Sequence, residues 1–305
     1  MPPKSKVKTS ASTTSSALPF VSVLTPTYNR RKFIPAAIRC FRNQSYPQDR
    51  MEWIILDDGE DKVKDMFDEA IKSGLTNIKY HAIEGEKLPI GAKRNRINEL
   101  ATGDIVVCWD DDDYYPPDRV KKAVTKLRSS AGYKVPVTGS SQLYLYFTDR
   151  DEIWSIGPYN PNHCTNGTMA YWRNYFDTHR YDDTAAMAEE KKFMDDWKTP
   201  VFQLHPEDTM LVICHAHNTF DKRKLLTQNN PLLKKVNLKM STLVKDKVLR
   251  DFYLGLARDY KEKDEAMDAP SVVLVVADAP LVVADAPSLT VSEVVPDVFV
   301  PAVTE

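Results

Sequence analysis

The sequence predicts an α/β fold with a mostly parallel sheet and an antiparallel extension. Short apolar, β-branched runs alternate with segments of helical periodicity between residues 20 and 129, and the runs end in polar or acidic loops. After residue 135, short runs follow one another with only turns between them, which is typical of antiparallel strands.

The elements follow from the spacing of the apolar residues. The predicted strands of the parallel part cover residues 20–24, 53–56, 77–83 and 105–109, and the predicted helices cover residues 31–43, 62–73, 90–101 and 118–129, the last capped by Asp118. The antiparallel strands are expected at residues 135–140, 142–148 and 153–156. They are followed by a helix at 185–197, a last strand at 210–214 and helical spacing over residues 232–263.

Composition divides the chain into four segments. Residues 1–18 form a basic, Ser/Thr-rich stretch that predicts a flexible arm, residues 19–230 carry the globular pattern, and residues 231–265 predict a helical extension. Residues 266–305 contain the heptapeptide Leu-Val-Val-Ala-Asp-Ala-Pro twice in succession, which predicts an extended, low-complexity tail.

Charge and cysteine content exclude several classes of protein. The net charge of −2 gives no general attraction to nucleic acid. The four cysteines lie far apart, so we expect reduced core residues and neither a zinc site nor a disulfide scaffold. The sequence shows no signal peptide and no apolar run long enough to span a membrane, which predicts a soluble, cytoplasmic protein. It does not predict the oligomeric state.

Four consecutive carboxylates, residues 110–113, follow directly after the predicted strand 105–109. Side chains alternate at a strand end, so we expect Asp110 and Asp112 on one side and Asp111 and Asp113 on the other. A carboxylate pair suits Mg²⁺ or Mn²⁺, which keep coordination positions open for phosphates. The alternative is a solvated acidic turn. Because ligands bind beyond the carboxyl ends of parallel strands, the loop 25–30 belongs to the same candidate site.

Four stretches taken together resemble the family 2 glycosyltransferases of the GT-A fold. They are VSVLTPTYNR at 21–30, IILDDG at 54–59, GAKRNRINELATG at 91–103 and VVCWDDDD at 106–113. The resemblance covers about residues 19–223. It implies a single Rossmann-like GT-A domain with flexible tails, a nucleotide-sugar donor, a divalent metal ion and an inverting reaction.

The resemblance also implies roles for residues at matching positions. Thr25 and Tyr28 border the nucleotide base, and Asp57 accepts a hydrogen bond from a uracil ring. Arg94 lies near the diphosphate, and Asp110 and Asp112 form the metal-binding DxD pair. The donor-binding set is completed by Arg30, Asp58, Lys93 and Asp111.

Three further matches concern the reaction and the acceptor. Residues 188–190 resemble the family's ED motif, in which the second acid is the general base, and this points to Glu190 with Glu189 beside it. His215 resembles the late histidine that completes the metal shell, with His217 as the alternative. Gly167 and Thr168 match the small residues beside the acceptor.

The expected activity is sugar transfer from a nucleoside-diphosphate sugar, a UDP-sugar by preference, to a hydroxyl of a glycan or glycoprotein, with Mn²⁺ or Mg²⁺. A nucleotidyltransferase that makes sugar nucleotides is one alternative, but it would need a Gly-rich loop, and residues 25–30 contain no glycine. An inactive carbohydrate- or partner-binding relative is the other. The sequence also resembles glycosyltransferases of large algal DNA viruses, in that it shows no membrane segment and carries the heptapeptide repeats.

Overall fold

A computed structural model describes residues 18–129 and 135–260 of the chain. The predicted tail at 266–305 and residues 1–17 of the predicted arm lie outside the described residues. The strands are β1 Val21–Thr27, β2 Met51–Asp57, β3 Ile78–Ala82, β4 Ile105–Cys108, β5 Val137–Gly139, β6 Leu143–Phe147, β7 Glu152–Ile156, β8 Ala170–Trp172, β9 Val201–Gln203, β10 Leu211–Cys214 and β11 Leu233–Lys235. The α-helices are α1 Ile34–Arg42, α2 Lys64–Lys72, α3 Ile90–Glu99, α4 Arg119–Leu127, α5 Glu190–Phe193, α6 Lys224–Thr227, α7 Met240–Leu243 and α8 Lys247–Gly255.

The larger sheet has seven strands in the order β3-β2-β1-β4-β8-β5-β9. Strands β3, β2, β1 and β4 run parallel to one another, and β8 runs antiparallel to both β4 and β5. Every residue of β2 and β4 is buried, which explains why these strands read as continuous apolar runs. The predicted α/β class with a mostly parallel sheet and an antiparallel extension is confirmed.

The antiparallel part differs from the prediction in one respect. Only β5 of the three predicted strands joins the larger sheet, through β8, while β6 and β7 pair with each other in a second sheet of order β10-β6-β7-β11. The last predicted strand, β10, runs parallel to β6 and so belongs to the second sheet as well.

The helix predicted over residues 185–197 is reduced to the single turn of α5. Ala188 has a φ of 52° just before this turn, and Asp195, Asp196 and Trp197 have φ values of 48°, 51° and 64° after it. These left-handed conformations interrupt helical hydrogen bonding at both ends. Asp118 occupies the N-cap position of α4, as predicted, but its side chain makes no capping hydrogen bond, because Oδ1 accepts one from Ser45 Oγ at 2.5 Å instead.

The C-terminal part of the described chain contacts β7 through β11 and α1 through α8. It begins with β11, and not with the expected helix, and then forms α7 and α8. Leu249 and Tyr253 of α8 are buried, and the Tyr253 hydroxyl donates to the carbonyl oxygen of Asp113 at 3.2 Å. Asp246 caps α8 and accepts a hydrogen bond from Arg39 Nε at 2.7 Å. None of the described helices is both long enough and apolar enough to cross a lipid bilayer.

Aromatic packing supports the strand end that carries the acids. Trp109 stacks on Tyr115 with 3.9 Å between ring centroids, and Phe41 stacks on Trp53 at 4.7 Å in the same core. The four cysteines are buried and unbridged, as expected of reduced core residues.

Candidate active site

A cleft of about 890 Å³ opens beyond the carboxyl ends of β1 and β4. Its walls come from the loop after β1, the first turns of α3, the acids 110–113, the turn 165–167, the loop 184–190 and the loop 218–222. Segments that lie far apart in the sequence thus converge on one charged space. We call residues 110–113 the acid quartet.

Two acids of the quartet are tied to the surrounding fold. Asp110 Oδ1 accepts a hydrogen bond from Arg94 Nη2 at 3.2 Å, and the Asp110 backbone N–H donates to the Tyr115 hydroxyl at 2.7 Å. Asp113 Oδ1 accepts from the backbone N–H of Ile213 in β10 at 2.7 Å. This hydrogen bond to β10 links the quartet to the second sheet. Burial raises the pKa of the Asp110 and Asp113 carboxyls.

Asp111 and Asp112 face the other side of the cleft, where Arg30 and His215 lie. Asp112 Oδ2 is 3.2 Å from His215 Nε2 and 3.4 Å from Arg30 Nε, and Asp111 Oδ1 is 3.7 Å from Arg30 Nε. Burial acts to raise the pKa of Asp112, but the hydrogen bond and charge of His215 and the charge of Arg30 hold it below its ordinary value. Burial and the charge of Asp112 raise the pKa of Asp111 to about 8.

Asp112 and His215 are the pair that fits a divalent cation. Among residues 18–129 and 135–260, no three His, Cys, Asp or Glu side chains converge closely enough to hold an ion alone. Nucleotide sites need only one or two protein carboxylates, because phosphate oxygens and water complete the shell. Such a site, in which protein and phosphate both supply ligands to the ion, could be formed by the Asp112 carboxylate and the His215 imidazole beside the other acids of the quartet. The predicted set of Asp110, Asp112 and His215 is not assembled, because Asp110 is turned to Arg94.

The two candidate histidines have different surroundings. His215 is 1% exposed, its backbone N–H donates to Asn218 Oδ1 at 2.8 Å, and its ring lies 4.3 Å from that of Phe33. The side chain of His217 is 50% exposed, and its Nε2 lies 3.2 Å from Asp259 Oδ2. Of the two, His215 is the one that reaches the quartet.

Arg94 connects the quartet with the acid pair of the loop 184–190. Its Nε donates to Glu189 Oε1 at 2.6 Å while Nη2 contacts Asp110. The guanidinium is thus held by two carboxylates, whereas the resemblance placed it at the diphosphate. Glu190 lies next to this ion pair, and burial and the charge of Glu189 raise the pKa of Glu190 to about 8. A general base works best with a pKa near the operating pH.

Helix α3 also holds the loop that carries the acid pair. Asn95 Oδ1 accepts from the backbone N–H of Tyr181 at 2.9 Å, and Asn95 Nδ2 donates to the Tyr181 carbonyl at 3.0 Å. The Gly91 N–H donates to the carbonyl of Ala185 at 3.1 Å, and a Cβ at Gly91 would lie 1.8 Å from the Asp182 carbonyl oxygen. The motif at 91–103 therefore includes two residues that position this loop, although the sequence pattern assigned them no role.

Two residues predicted at the nucleotide base lie outside the cleft lining. The Thr25 hydroxyl accepts a hydrogen bond from the Trp53 indole N–H at 2.8 Å in the core. The Asp57 carboxylate accepts from the Gly59 N–H at 2.8 Å and from the Tyr80 hydroxyl at 2.5 Å. Both side chains are 0% exposed and are hydrogen-bonded within the fold, and their placement beside the donor stays a prediction.

The remaining donor-side residues do meet the cleft or support it. Tyr28 and Arg30 line it, and Lys87 Nζ lies 4.3 Å from the centroid of the Tyr28 ring. Asp58 and Lys93 form a buried ion pair, in which burial lowers the pKa of Lys93 and the charge of Asp58 opposes that shift. This pair braces the loop after β2.

The two predicted acceptor-side residues, Gly167 and Thr168, differ in their position relative to the cleft. Gly167 lines the cleft, and a Cβ there would lie 2.6 Å from Asp110 Oδ2 and 2.8 Å from Met210 Sδ. A side chain at this position would therefore push against the quartet. Thr168 is buried behind the turn, where its hydroxyl accepts from the backbone N–H of Ser140 at 3.0 Å.

The cleft contains further polar residues to which the sequence analysis assigned no role. They include Thr27, Lys87, Asn166, Asn218 and Lys222. Thr27 Oγ1 and Asn166 Oδ1 are buried, and neither has a hydrogen-bond partner in the described part of the chain. Unpaired buried acceptors and donors of this kind point to groups that a ligand can satisfy.

The mostly parallel sheet and the polar cleft at its strand ends are consistent with the GT-A fold. The model of the family Glycosyl transferase family 2 matches residues 22–176, about half of the 305 residues. The chain belongs to glycosyl transferase family 2.

Two solved structures share the fold. The mannosyltransferase PcManGT from Pyrobaculum calidifontis, in complex with GDP-Man and Mn²⁺, superposes with a TM-score of 0.54 at 14% identity over 84% of this chain and 77% of that one. Residues 1–349 of Staphylococcus aureus TarS, in complex with UDP-GlcNAc, give a TM-score of 0.50 at 18% identity over 65% and 59% of the two chains.

Among curated relatives, the chain is 23% identical to the glycosyltransferase AglE of Haloferax volcanii over 190 residues, 52% of this chain and 61% of AglE. It is 29% identical to the poly(ribitol-phosphate) beta-N-acetylglucosaminyltransferase TarS of Staphylococcus aureus over 102 residues, 33% of this chain and 18% of TarS. The chain thus spans less than two thirds of the length of either relative.

Proposed function

We propose that this protein is a metal-dependent, inverting glycosyltransferase that moves a sugar from a nucleoside-diphosphate sugar to a hydroxyl of a glycan or glycoprotein. The observation that carries the proposal is that one cleft is lined by both the half-buried Glu190 and Asp112, whose Oδ2 lies 3.2 Å from Nε2 of the buried His215. The complexes of TarS with UDP-GlcNAc and of PcManGT with GDP-Man and Mn²⁺ support a nucleotide-sugar donor, with UDP-sugars tried first.

Asp112 and His215 would hold Mn²⁺ or Mg²⁺. Such an ion, when bound, neutralises negative charge that develops on a departing diphosphate. Asp112 suits this role because its pKa, which burial acts to raise, is held low by His215 and Arg30, so its carboxylate stays ionised at neutral pH. Arg30, which lies 3.4 Å from Asp112, adds a fixed positive charge on the same side of the cleft.

Glu190 would remove the proton from the acceptor hydroxyl. The acceptor oxygen forms a bond to the anomeric carbon, the bond between that carbon and the diphosphate oxygen breaks, and the proton passes to Glu190. The Glu189–Arg94 ion pair holds the neighbouring acid, and the Asn95 contacts to Tyr181 hold the loop. A base fixed in this way is oriented before the acceptor arrives.

On the donor side, five of the predicted residues line the cleft, namely Tyr28, Arg30, Lys93, Arg94 and Asp111. We assign the nucleotide base to the Tyr28 side, where Lys87 covers the ring. This replaces Thr25 and Asp57, whose polar groups are already used within the core.

A screen of nucleotide sugars tests the proposal. The purified protein is incubated with each donor and Mn²⁺, with and without a chelator, and donor hydrolysis and transfer are scored. We expect turnover of one nucleotide class, its loss on chelation, and inversion of the anomeric configuration by NMR. Retention would exclude single displacement. Turnover that consumes a sugar phosphate and a nucleoside triphosphate would favour the nucleotidyltransferase, and donor binding without turnover would favour a binding protein.

A further inference from the structure

Lys222 is a cation of the cleft without a hydrogen-bond or ion-pair partner among residues 18–129 and 135–260. It lies in the loop after β10, is half-buried and lines the cleft. Within the described part of the chain its ammonium group makes neither a hydrogen bond nor an ion pair. A half-buried ammonium group loses part of its hydration, and here no direct hydrogen bond or ion pair offsets that cost. The contacts within the protein therefore do not explain why a lysine lies at this position.

The other strongly bound cations of the cleft are already neutralised. Arg94 Nε contacts Glu189 Oε1 at 2.6 Å, and Lys93 pairs with Asp58. These groups are committed to holding the fold, so they have little positive charge to offer a dianionic diphosphate. Lys222 retains its charge.

The loop that carries Lys222 is anchored on both sides. Arg223 Nη2 contacts Asp221 Oδ2 at 2.8 Å, and the Arg223 guanidinium lies 4.2 Å from the centroid of the Tyr260 ring. On the other side, Asn218 accepts the hydrogen bond from the backbone N–H of His215. The residues on both sides of Lys222 are therefore held by contacts with the rest of the protein, and these contacts position Lys222 at the cleft.

Lys222 also interacts electrostatically with acids of the quartet. Burial raises the pKa of Asp113, and the nearby charge of Lys222 acts in the opposite direction. The same charge acts on Asp112 and His215. Lys222 therefore acts electrostatically on Asp112 and Asp113 and forms an ion pair with neither of them.

We propose that Lys222 binds the diphosphate of the nucleotide donor, on the opposite side of the phosphates from Asp112 and His215. This inference rests on the proposed function. A diphosphate placed there meets a cation on each side, which offsets the repulsion from the acid quartet. Lys222 would then also stabilise the diphosphate as it leaves with its additional negative charge.

Calorimetry with Mn²⁺ tests this, using UDP and uridine as probes, or GDP and guanosine if the screen selects GDP. Lys222→Gln should weaken binding of the diphosphate about 10- to 100-fold, the range of a charge-assisted hydrogen bond, and leave nucleoside binding unchanged. Lys222→Arg should restore most of the affinity. Lys224→Gln removes a charge two residues away, outside the cleft lining, and should have little effect.

The outcomes separate the two proposals. If the wild type binds the diphosphate and Lys222→Gln binds it equally well, the inference about Lys222 fails while the proposed function stands. Equal losses for the diphosphate and the nucleoside would make Lys222 a structural residue and would also refute the inference. If the wild type binds no nucleoside diphosphate with Mn²⁺, both proposals fail together.

Discussion

Replacing Glu190 by Gln should remove both the catalytic base and the pH dependence that it imposes. Burial and the charge of Glu189 raise the pKa of Glu190 to about 8, so the base is protonated at low pH and becomes active as the pH rises. The fraction of ionised Glu190 is about 1% at pH 6 and about half at pH 8, so kcat/KM of the wild type should rise about 50-fold between these values.

The substitution itself should lower kcat by about 10²- to 10⁴-fold at pH 8, the usual contribution of a general base, and flatten the profile. Donor affinity should change little, since the carboxylate acts on the acceptor. The assay is nucleotide release at saturating Mn²⁺ from pH 5.5 to 9, with nucleotide affinity measured separately by calorimetry.

Glu189→Gln is the matched control. It removes the charge that raises the pKa of Glu190, so the inflection should move to lower pH while most of the activity remains. Asp111 provides the competing explanation, because burial and the charge of Asp112 raise its pKa to about 8 as well. If Glu190→Gln retains a strong inflection near pH 8 and Asp111→Asn abolishes it, the assignment of the base is refuted.

Three further substitutions test the rest of the site. Asp112→Asn should abolish Mn²⁺-dependent nucleotide binding with an unchanged Tm, and binding as tight as that of the wild type would place the ion elsewhere. Gly167→Ala puts a Cβ 2.6 Å from Asp110 Oδ2 and should lower transfer activity, whereas Gly255→Ala meets no atom closer than 3.7 Å and should not. Asn95→Ala leaves the buried Tyr181 backbone unpaired, costs roughly 1–3 kcal/mol, and should lower both Tm and kcat; an unchanged kcat would show that the loop needs no such support.

The parallel half of the fold was predictable because its signals are local. Apolar runs and helical spacing placed the first four strands and helices within about three residues of their observed bounds. The assignment of β6 and β7 to a second sheet was not predictable in this way, since their apolar residues fit either sheet and the choice depends on pairing with the distant β10.

The site was only partly predictable for a related reason. The alternation rule grouped Asp110 with Asp112, but β4 ends at Cys108 and the chain bends at 111–113, so the strand geometry that the rule assumes is lost. Thr25 carries a polar group at a strand end and still faces the core, where it satisfies Trp53. Lys222 belongs to no motif. Its proposed role follows from the observation that the neighbouring cations of the cleft already form ion pairs, and the sequence does not reveal such pairing.

The contact between Tyr253 and Asp113 has a practical consequence for fragment design. The hydroxyl donates to the backbone of the acid quartet from Tyr253, which lies 23 residues beyond the predicted boundary at residue 230. A fragment shortened to that boundary would expose the buried side of Phe33 and Cys40 and leave the Asp113 carbonyl without this donor. Helix α8 should therefore be retained in expression fragments. It should also be left unchanged in screening libraries that randomise the surface away from the cleft.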